Sequence, residues 1–210
     1  MPYVPIPRPQ SLLPKVAAAV DRLEKHYLCE VHVMLRLPVP RYLLVSTCTF
    51  SCAQTLMALI GGVSTVLYAQ RDGKPGKDFQ SLLVDFYPWA HEPNISVTPV
   101  EGAKIIYEVF RNPIAHNLGA HVRPRATTPL VKIKRGGRND GAGGLTEEMI
   151  ERLEDVSRPP RMSSVLTIRS GDATVLFVEP LYWGVRTMLA GLLRDSARMA
   201  KAETYLGRVT

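Results

Sequence analysis

The 210-residue sequence contains little cysteine and no export signal at its start. Cys29, Cys48 and Cys52 are odd in number and have apolar neighbours, which argues against a disulfide framework and favours a reducing compartment. The first nine residues include four prolines instead of a charged segment followed by an apolar run. These residues predict an extended arm. Because the cysteines suit a reducing compartment and no signal segment is seen, we expect a cytoplasmic protein.

The cysteines and glycines also lack the patterns of metal and nucleotide sites. Cys48 and Cys52 are four residues apart, but no four-ligand spacing follows them. The stretch "KIKRGGRNDGAGG", residues 132–144, does not contain the Gly-Lys-Ser/Thr end of a phosphate-binding loop. We expect a mobile glycine-rich loop there, and the sequence predicts no metal or other cofactor.

Charge is missing from residues 42–70, a run of 29 positions that is long enough to cross a membrane. Eleven of these positions are Ser, Thr, Gln or Gly, which interrupts the apolar character that a membrane span needs. A helix buried all round at the centre of a soluble bundle has the same composition. We favour the buried helix and keep a membrane-associated protein as the less favoured alternative.

Acidic residues are missing from the segment between Arg111 and Arg138, which contains seven basic residues. The rest of the chain has 26 − 7 = 19 basic and 19 acidic residues, so this segment carries the whole formal charge of +7. A positive segment without internal partners favours a polyanion such as nucleic acid, although a solvated basic loop has the same composition. Beside Arg111, the candidate nucleic-acid contacts are Arg123, Arg125, Lys132, Lys134, Arg135 and Arg138.

The apolar spacing predicts helices in the first half of the chain. Apolar residues recur every three or four positions from Leu13 to Met34, which indicates an amphipathic helix that ends before Pro38. A shorter helix is expected over residues 79–86. The stretch "TPVE", residues 98–101, has the pattern of a capping box, so another helix should begin there and extend to Arg111.

In the last fifty residues the spacing of apolar residues changes, from a helical spacing to one that includes strands. The stretch "SSVLTIRSGDATVLFV", residues 163–178, predicts a β-hairpin, and an apolar stripe predicts a helix that begins at Pro180. We therefore expect a mainly α protein: a helical bundle with a small C-terminal β-hairpin and a C-terminal helix. Residues 11–125 would form the bundle core. Residues 126–210 would add the basic loop, the hairpin and the last helix, packed on the core as one compact unit.

The stretch "YEVFRNPIAHNLG", residues 107–119, places an arginine and a histidine on either side of a proline. On a regular helix, Arg111 and His116 would point about 140° apart and lie about 7.5 Å apart along the axis. Pro113 removes an amide donor and crowds the preceding turn, so the helix should kink or stop there. Such a distortion, or a second subunit, could bring the two groups to one phosphate.

The segment "RNPIAH" resembles the Arg, polar residue, then His signature of the higher eukaryotes and prokaryotes nucleotide-binding (HEPN) superfamily, which is all-helical. Four residues separate Arg111 from His116, within the four to six of that motif, and asparagine is a common residue after the arginine. The resemblance covers about residues 11–120. It implies a metal-independent endoribonuclease, or a degenerate relative that binds nucleotides without cutting them.

The resemblance also implies roles and partners. Arg111 would contact the scissile phosphate of RNA, Asn112 would orient that phosphate or the histidine, and His116 would act as general acid or base. Members commonly form dimers in which two Arg–His pairs line one cleft, and many are toxins or defence effectors with an antitoxin or defence-system partner. The chemistry agrees, because imidazole has a pKa of about 6.5 and a guanidinium stabilises phosphorane charge.

Other interpretations of these residues stay open at the level of the sequence. His121 is a second candidate for the acid, although the family pattern does not include it. Arg111 could instead bind helix carbonyls, and His116 could be a satisfied core histidine. The alternative function is therefore a non-catalytic module that binds nucleic acid or an acidic protein.

Overall fold

A computed structural model of the chain describes residues 3–35, 48–68, 74–92, 95–112, 114, 130–134, 164–169 and 173–209. The described part is mainly helical, as the sequence predicts. Its helices are α1 (Pro14–Leu23), α2 (Cys29–Met34), α3 (Thr49–Tyr68), α4 (Pro75–Phe86), α5 (Pro99–Ile105), α6 (Val178–Leu192) and α7 (Ser196–Val209). Its strands are β1 (Leu130–Lys134), β2 (Leu166–Arg169) and β3 (Ala173–Phe177). Two π-helical turns continue helices, Glu24–Leu28 between α1 and α2 and Ile106–Arg111 after α5.

The uncharged helix α3 is the central helix of the fold. It packs against α2, α4, α6, α7 and β1, and Leu56 and Ile60 on its inner face are fully buried. The prediction of a helix buried all round is wrong for the outer face, where Gln54, Ala58 and Thr65 are exposed. By length and composition alone α3 could cross a membrane, and 39% of its apolar window is buried inside the protein.

The predicted β-hairpin is confirmed, and a third strand extends it. β2 and β3 pair antiparallel, with Leu166 opposite Leu176, whereas β1 pairs parallel to β3 on its other side. The strand order is therefore β1-β3-β2. The prediction of a loop over residues 132–144 is wrong for 132–134, which belong to β1. The partner of β1 lies some forty residues along the chain, and a pairing that distant leaves no local sequence signal.

The C-terminal helix is confirmed, but it begins earlier than predicted and is followed by another helix. α6 begins at Val178, two residues before Pro180, and α7 follows after a break at residues 193–195. Asp195 stabilises the start of α7 after this break, because its carboxylate accepts a hydrogen bond from the backbone N–H of Arg198 at 3.0 Å. That hydrogen bond, together with the Arg198 guanidinium, lowers the pKa of Asp195.

Helix α1 begins at Pro14 without a side-chain cap from its own sequence. The carboxylate of Glu203, in α7, accepts hydrogen bonds from the backbone N–H groups of Lys15 at 3.2 Å and Val16 at 2.9 Å. The negative charge of this carboxylate also interacts favourably with the positive end of the α1 helix dipole. The first and last helices are thus joined at their contact.

The capping box at the start of α5 is confirmed. The backbone N–H of Glu101 donates to Thr98 Oγ1 at 3.3 Å, and the backbone N–H of Thr98 donates to Glu101 Oε2 at 2.9 Å. We expect Thr98→Ala to lower the free energy of unfolding by about 1 kcal/mol, because the first turn of α5 loses its acceptor. Urea unfolding followed by circular dichroism measures this loss. Thr98→Ser keeps the hydroxyl and is the control that should remain near wild type.

The same capping box predicts a pH dependence. Hydrogen bonds from the Thr98 backbone and hydroxyl lower the pKa of the Glu101 carboxyl below its ordinary value of 4.5. A carboxylate with a lowered pKa in the folded state stabilises the fold above the ordinary value, and this contribution is lost as the pH falls through the lower folded value. Glu101→Gln should therefore show a weaker loss of stability than wild type as the pH is lowered from 4.5. An identical pH dependence in both proteins would contradict this assignment.

Candidate functional site

The helix that carries Arg111 is fixed to the bundle by one fully buried face. Ala103, Ile106 and Phe110 are completely inaccessible to solvent. Gly102 lets this face approach the neighbouring loop closely, because a Cβ atom there would lie 2.6 Å from the Trp89 ring. The opposite face is left at the surface, so the helix presents its polar residues from a rigid base.

The helix changes to a wider π-helical turn immediately before the motif. The turn covers Ile106–Arg111, and the backbone N–H of Asn112 donates to the Tyr107 carbonyl, five residues earlier. Pro113, which follows in the sequence, lies outside the described residues; a proline at this position disfavours a regular α-helix, because its ring would crowd the Val109 carbonyl and it has no N–H to donate. Single π-helical turns of this kind are frequent at functional sites.

Tyr107 and Asn112 hold the Arg111 side chain. The guanidinium carbon lies 5.5 Å from the centre of the Tyr107 ring, and Nη1 donates to Asn112 Oδ1 at 3.3 Å. The Tyr107 ring is in turn 5.4 Å from the Phe79 ring and covers Gly76, where a Cβ atom would lie 2.7 Å away. Arg111 is therefore supported by Tyr107, whose ring packs in turn against α4.

Arg111 lines a cavity of about 440 Å³ between α3 and α4. Gln54, Ser64 and Thr65 of α3 contribute polar atoms, and the rest of the wall includes Phe79 and Ile114. The hydroxyls of Ser64 and Thr65 both donate to the Gly61 carbonyl, at 2.8 and 3.0 Å. Because Gln54 and Thr65 are exposed, the cavity is open to solvent on the α3 side.

Arg111 has a different electrostatic environment from Arg8 and Arg198. Arg8 forms ion pairs with Asp21 and Glu24, and Arg198 forms ion pairs with Asp85 and Asp195. Among the described residues, no carboxylate lies within 4 Å of the Arg111 guanidinium, whose hydrogen bond goes to a neutral amide. A half-buried guanidinium of this kind suits an anionic ligand, for which it offers a planar set of donors.

The predicted site residues fall into three groups. Arg111 and Asn112 lie side by side and are in contact. Lys132 and Lys134 belong to β1, which lies against α3, the helix that lines the Arg111 cavity. The other predicted positions lie outside the described residues: His116, His121, Arg123, Arg125, Arg135 and Arg138.

Sequence reasoning missed the residues that surround Arg111. Tyr107 is four residues before Arg111, a spacing that brings side chains together on a helix, and this was a usable signal. Gly76 and the polar residues of α3 gave no such signal, since their proximity depends on how the helices pack. Within the described ranges, no three His, Cys, Asp or Glu residues are grouped as metal ligands would be.

Comparisons with known proteins identify no relative of this chain. No family model, no curated protein and no solved structure matches it significantly.

Proposed function

We propose that this protein is a HEPN-like RNA-binding protein that cleaves RNA without a metal ion, using Arg111 and His116. It would act in the cytoplasm as a homodimer, in a toxin or defence role, with an antitoxin or defence-system protein as a further partner. The observation that carries the proposal is the position of Arg111. Its guanidinium lines an open, partly polar cavity and forms no ion pair with any described residue.

In the proposed reaction, the 2′-hydroxyl of a ribose attacks the adjacent phosphate. His116 removes the hydroxyl proton or protonates the leaving 5′-oxygen, for which a group that titrates near neutral pH is required. Arg111 binds the phosphate oxygens, whose negative charge increases in the transition state. Asn112 holds the guanidinium through its amide oxygen, in the geometry seen in the free protein. The basic positions from Arg123 to Arg138 would bind the flanking backbone of the RNA.

The test is incubation of the purified protein with total RNA in excess chelator, beside the His116→Ala variant. We expect fragments that end in 2′,3′-cyclic phosphate with wild type and none with the variant, because only the wild type can transfer the proton. Cleavage that requires added Mg²⁺, or that persists unchanged in His116→Ala, would contradict the proposed mechanism.

The alternative is a module that binds without cutting. It predicts RNA binding that weakens steeply with salt, is unchanged by His116→Ala and yields no fragments in the same incubation. Release of the protein from cells only by detergent would instead indicate a membrane protein, for which α3 has the required length and composition. Cleavage or its absence thus distinguishes the first two functions, whereas extraction from cells tests membrane association independently.

A further inference from the structure

Two buried side chains of opposite charge lie beneath the arm, which we define as residues 3–8. Glu24 is in the π-helical turn after α1 and is 5% exposed, and Arg186 is in α6 and is 3% exposed. Buried charges are costly unless they are paired and hydrogen-bonded. The partners of these two charged groups therefore indicate what this surface binds.

Glu24 is satisfied by the arm. One carboxylate oxygen accepts the Tyr3 hydroxyl at 2.9 Å and the backbone N–H of Ile6 at 2.6 Å, and the other forms an ion pair with Arg8. Burial, opposed by nearby Arg186, raises the pKa of the Tyr3 hydroxyl, which therefore remains a donor at neutral pH. The carboxylate thus recognises a hydroxyl, a backbone amide and a cation within one short extended segment.

Arg186 contacts the arm, the Tyr182 hydroxyl and aromatic rings, while its buried Nε has no hydrogen-bond partner among the described residues. Its Nη2 donates to the Val4 carbonyl at 2.6 Å, and its guanidinium carbon lies 4.8 Å from the centre of the Tyr3 ring. The rings of Tyr182 and Trp183 lie 5.6 and 5.4 Å away. No carboxylate of the described residues is within 4 Å of it. The arm therefore supplies both the short hydrogen bond and the closest ring of this aromatic cage.

We infer that the surface formed by Glu24, Arg186 and Trp183 is a binding site for an extended, proline-spaced peptide, and that the arm is its resident ligand. The arm fixes the pattern that the site reads. The pattern is a tyrosine, an isoleucine three residues later and an arginine five residues later, with prolines between them. A segment of another protein with this spacing would compete with the arm for the same contacts.

The contacts are those of a separable ligand and not of a core strand. Ile6 is the arm's only described residue that is fully buried, and no backbone–backbone hydrogen bond within the described ranges joins the arm to the helices. Pro5 and Pro7 restrict the arm to extended conformations, which lowers the entropy lost on binding. Aromatic-lined grooves bind proline-rich segments for the same reason.

The test uses the full chain with a protease site inserted between Gln10 and Ser11, both of which are exposed. The protein folds intact and is then cut, so that the arm becomes a separate peptide. Size-exclusion chromatography measures whether the arm stays bound, and circular dichroism measures whether the body stays folded after the arm is diluted away. A fluorescent peptide of residues 2–10 is then added to the stripped body, beside a scrambled peptide of the same composition.

We expect the stripped body to remain folded and to bind the labelled peptide one to one, while the uncut protein binds it at least about tenfold more weakly because its own arm competes. An Arg8→Ala peptide should bind about tenfold or more weakly than the original, because a charge-assisted contact with Glu24 is lost. Glu24→Gln in the body should remove most of that difference. Loss of the folded signal with the arm, or equal binding of the scrambled peptide, would overturn the inference.

Discussion

Arg111→Ala is expected to lower the rate of metal-free RNA cleavage by about 10²- to 10³-fold, the loss typical when one donor to a developing oxyanion is removed. Arg111 lines the cavity, is held by Tyr107 and Asn112, and forms no ion pair with a described carboxylate. Its removal should therefore affect the reaction far more than the fold. Initial rates with a fluorogenic RNA in excess chelator measure the effect, and urea unfolding of the same preparation verifies the fold.

The matched control is Arg208→Ala, which removes an equal charge from an exposed position in the last turn of α7. It should leave the cleavage rate within about twofold of wild type, since a single distant surface charge is largely screened by salt. Arg111→Lys keeps the charge but loses the planar set of donors, so an intermediate rate is expected. Equal losses in Arg111→Ala and Arg208→Ala would show that general charge, and not the cavity arginine, supports the reaction.

Phe110→Ala is expected to lower the free energy of unfolding by about 3–5 kcal/mol, the usual cost of removing a buried phenyl ring and leaving a cavity. Phe110 is completely inaccessible and belongs to the π-helical turn that presents Arg111. It fixes this turn to the bundle together with Ile106. Urea unfolding monitored by circular dichroism measures the change, and a lower midpoint with an unchanged slope would indicate that only stability is affected.

Val100→Ala is the control for this prediction, because Val100 belongs to the same helix and is 63% exposed. Its effect should remain within about 0.5 kcal/mol. Phe110→Leu, which refills most of the space, should lose much less stability than Phe110→Ala. A loss below about 1 kcal/mol in Phe110→Ala would mean that this face of the helix is not anchored in the core as described.

The elements that the sequence predicts well are those with local signals. The capping box of α5 depends on residues three positions apart, and the pairing of β2 with β3 joins two β-rich runs that are close along the chain. The helix predicted over residues 79–86 is confirmed, with Phe79, Leu82 and Leu83 buried, although it begins earlier than predicted, at Pro75. In each case the interacting residues are close along the chain, so the local sequence pattern is enough to predict the element.

The elements that the sequence does not predict depend on distant residues. β1 needs β3 as a parallel neighbour, and the start of α1 needs the carboxylate of Glu203 from the other end of the chain. The exposed outer face of α3 is equally unpredictable, because the sequence of an uncharged helix does not show which face will pack against other helices. Burial of Glu24 and Arg186 also escapes prediction, since charged residues are normally found at the surface.

The candidate site likewise has one part that the sequence predicts and another part that it does not. Arg111 and Asn112 are predicted from a short motif, and their contact is found in the structure. The cavity beside them needs α3 and α4 to be placed first, and Gly76 becomes informative only once the Tyr107 ring covers it. Local spacing thus identifies the reactive groups, whereas the surrounding pocket requires the tertiary fold.

The strand order β1-β3-β2 has a consequence for folding during synthesis. A nascent chain that has passed Arg169 but not yet reached Ala173 contains both outer strands of the sheet and lacks the strand that separates them. The backbone N–H groups of Lys15 and Val16 lack their acceptor for longer still, because Glu203 is synthesised after all three strands. The sheet and the start of α1 therefore become complete only after these later residues have been synthesised.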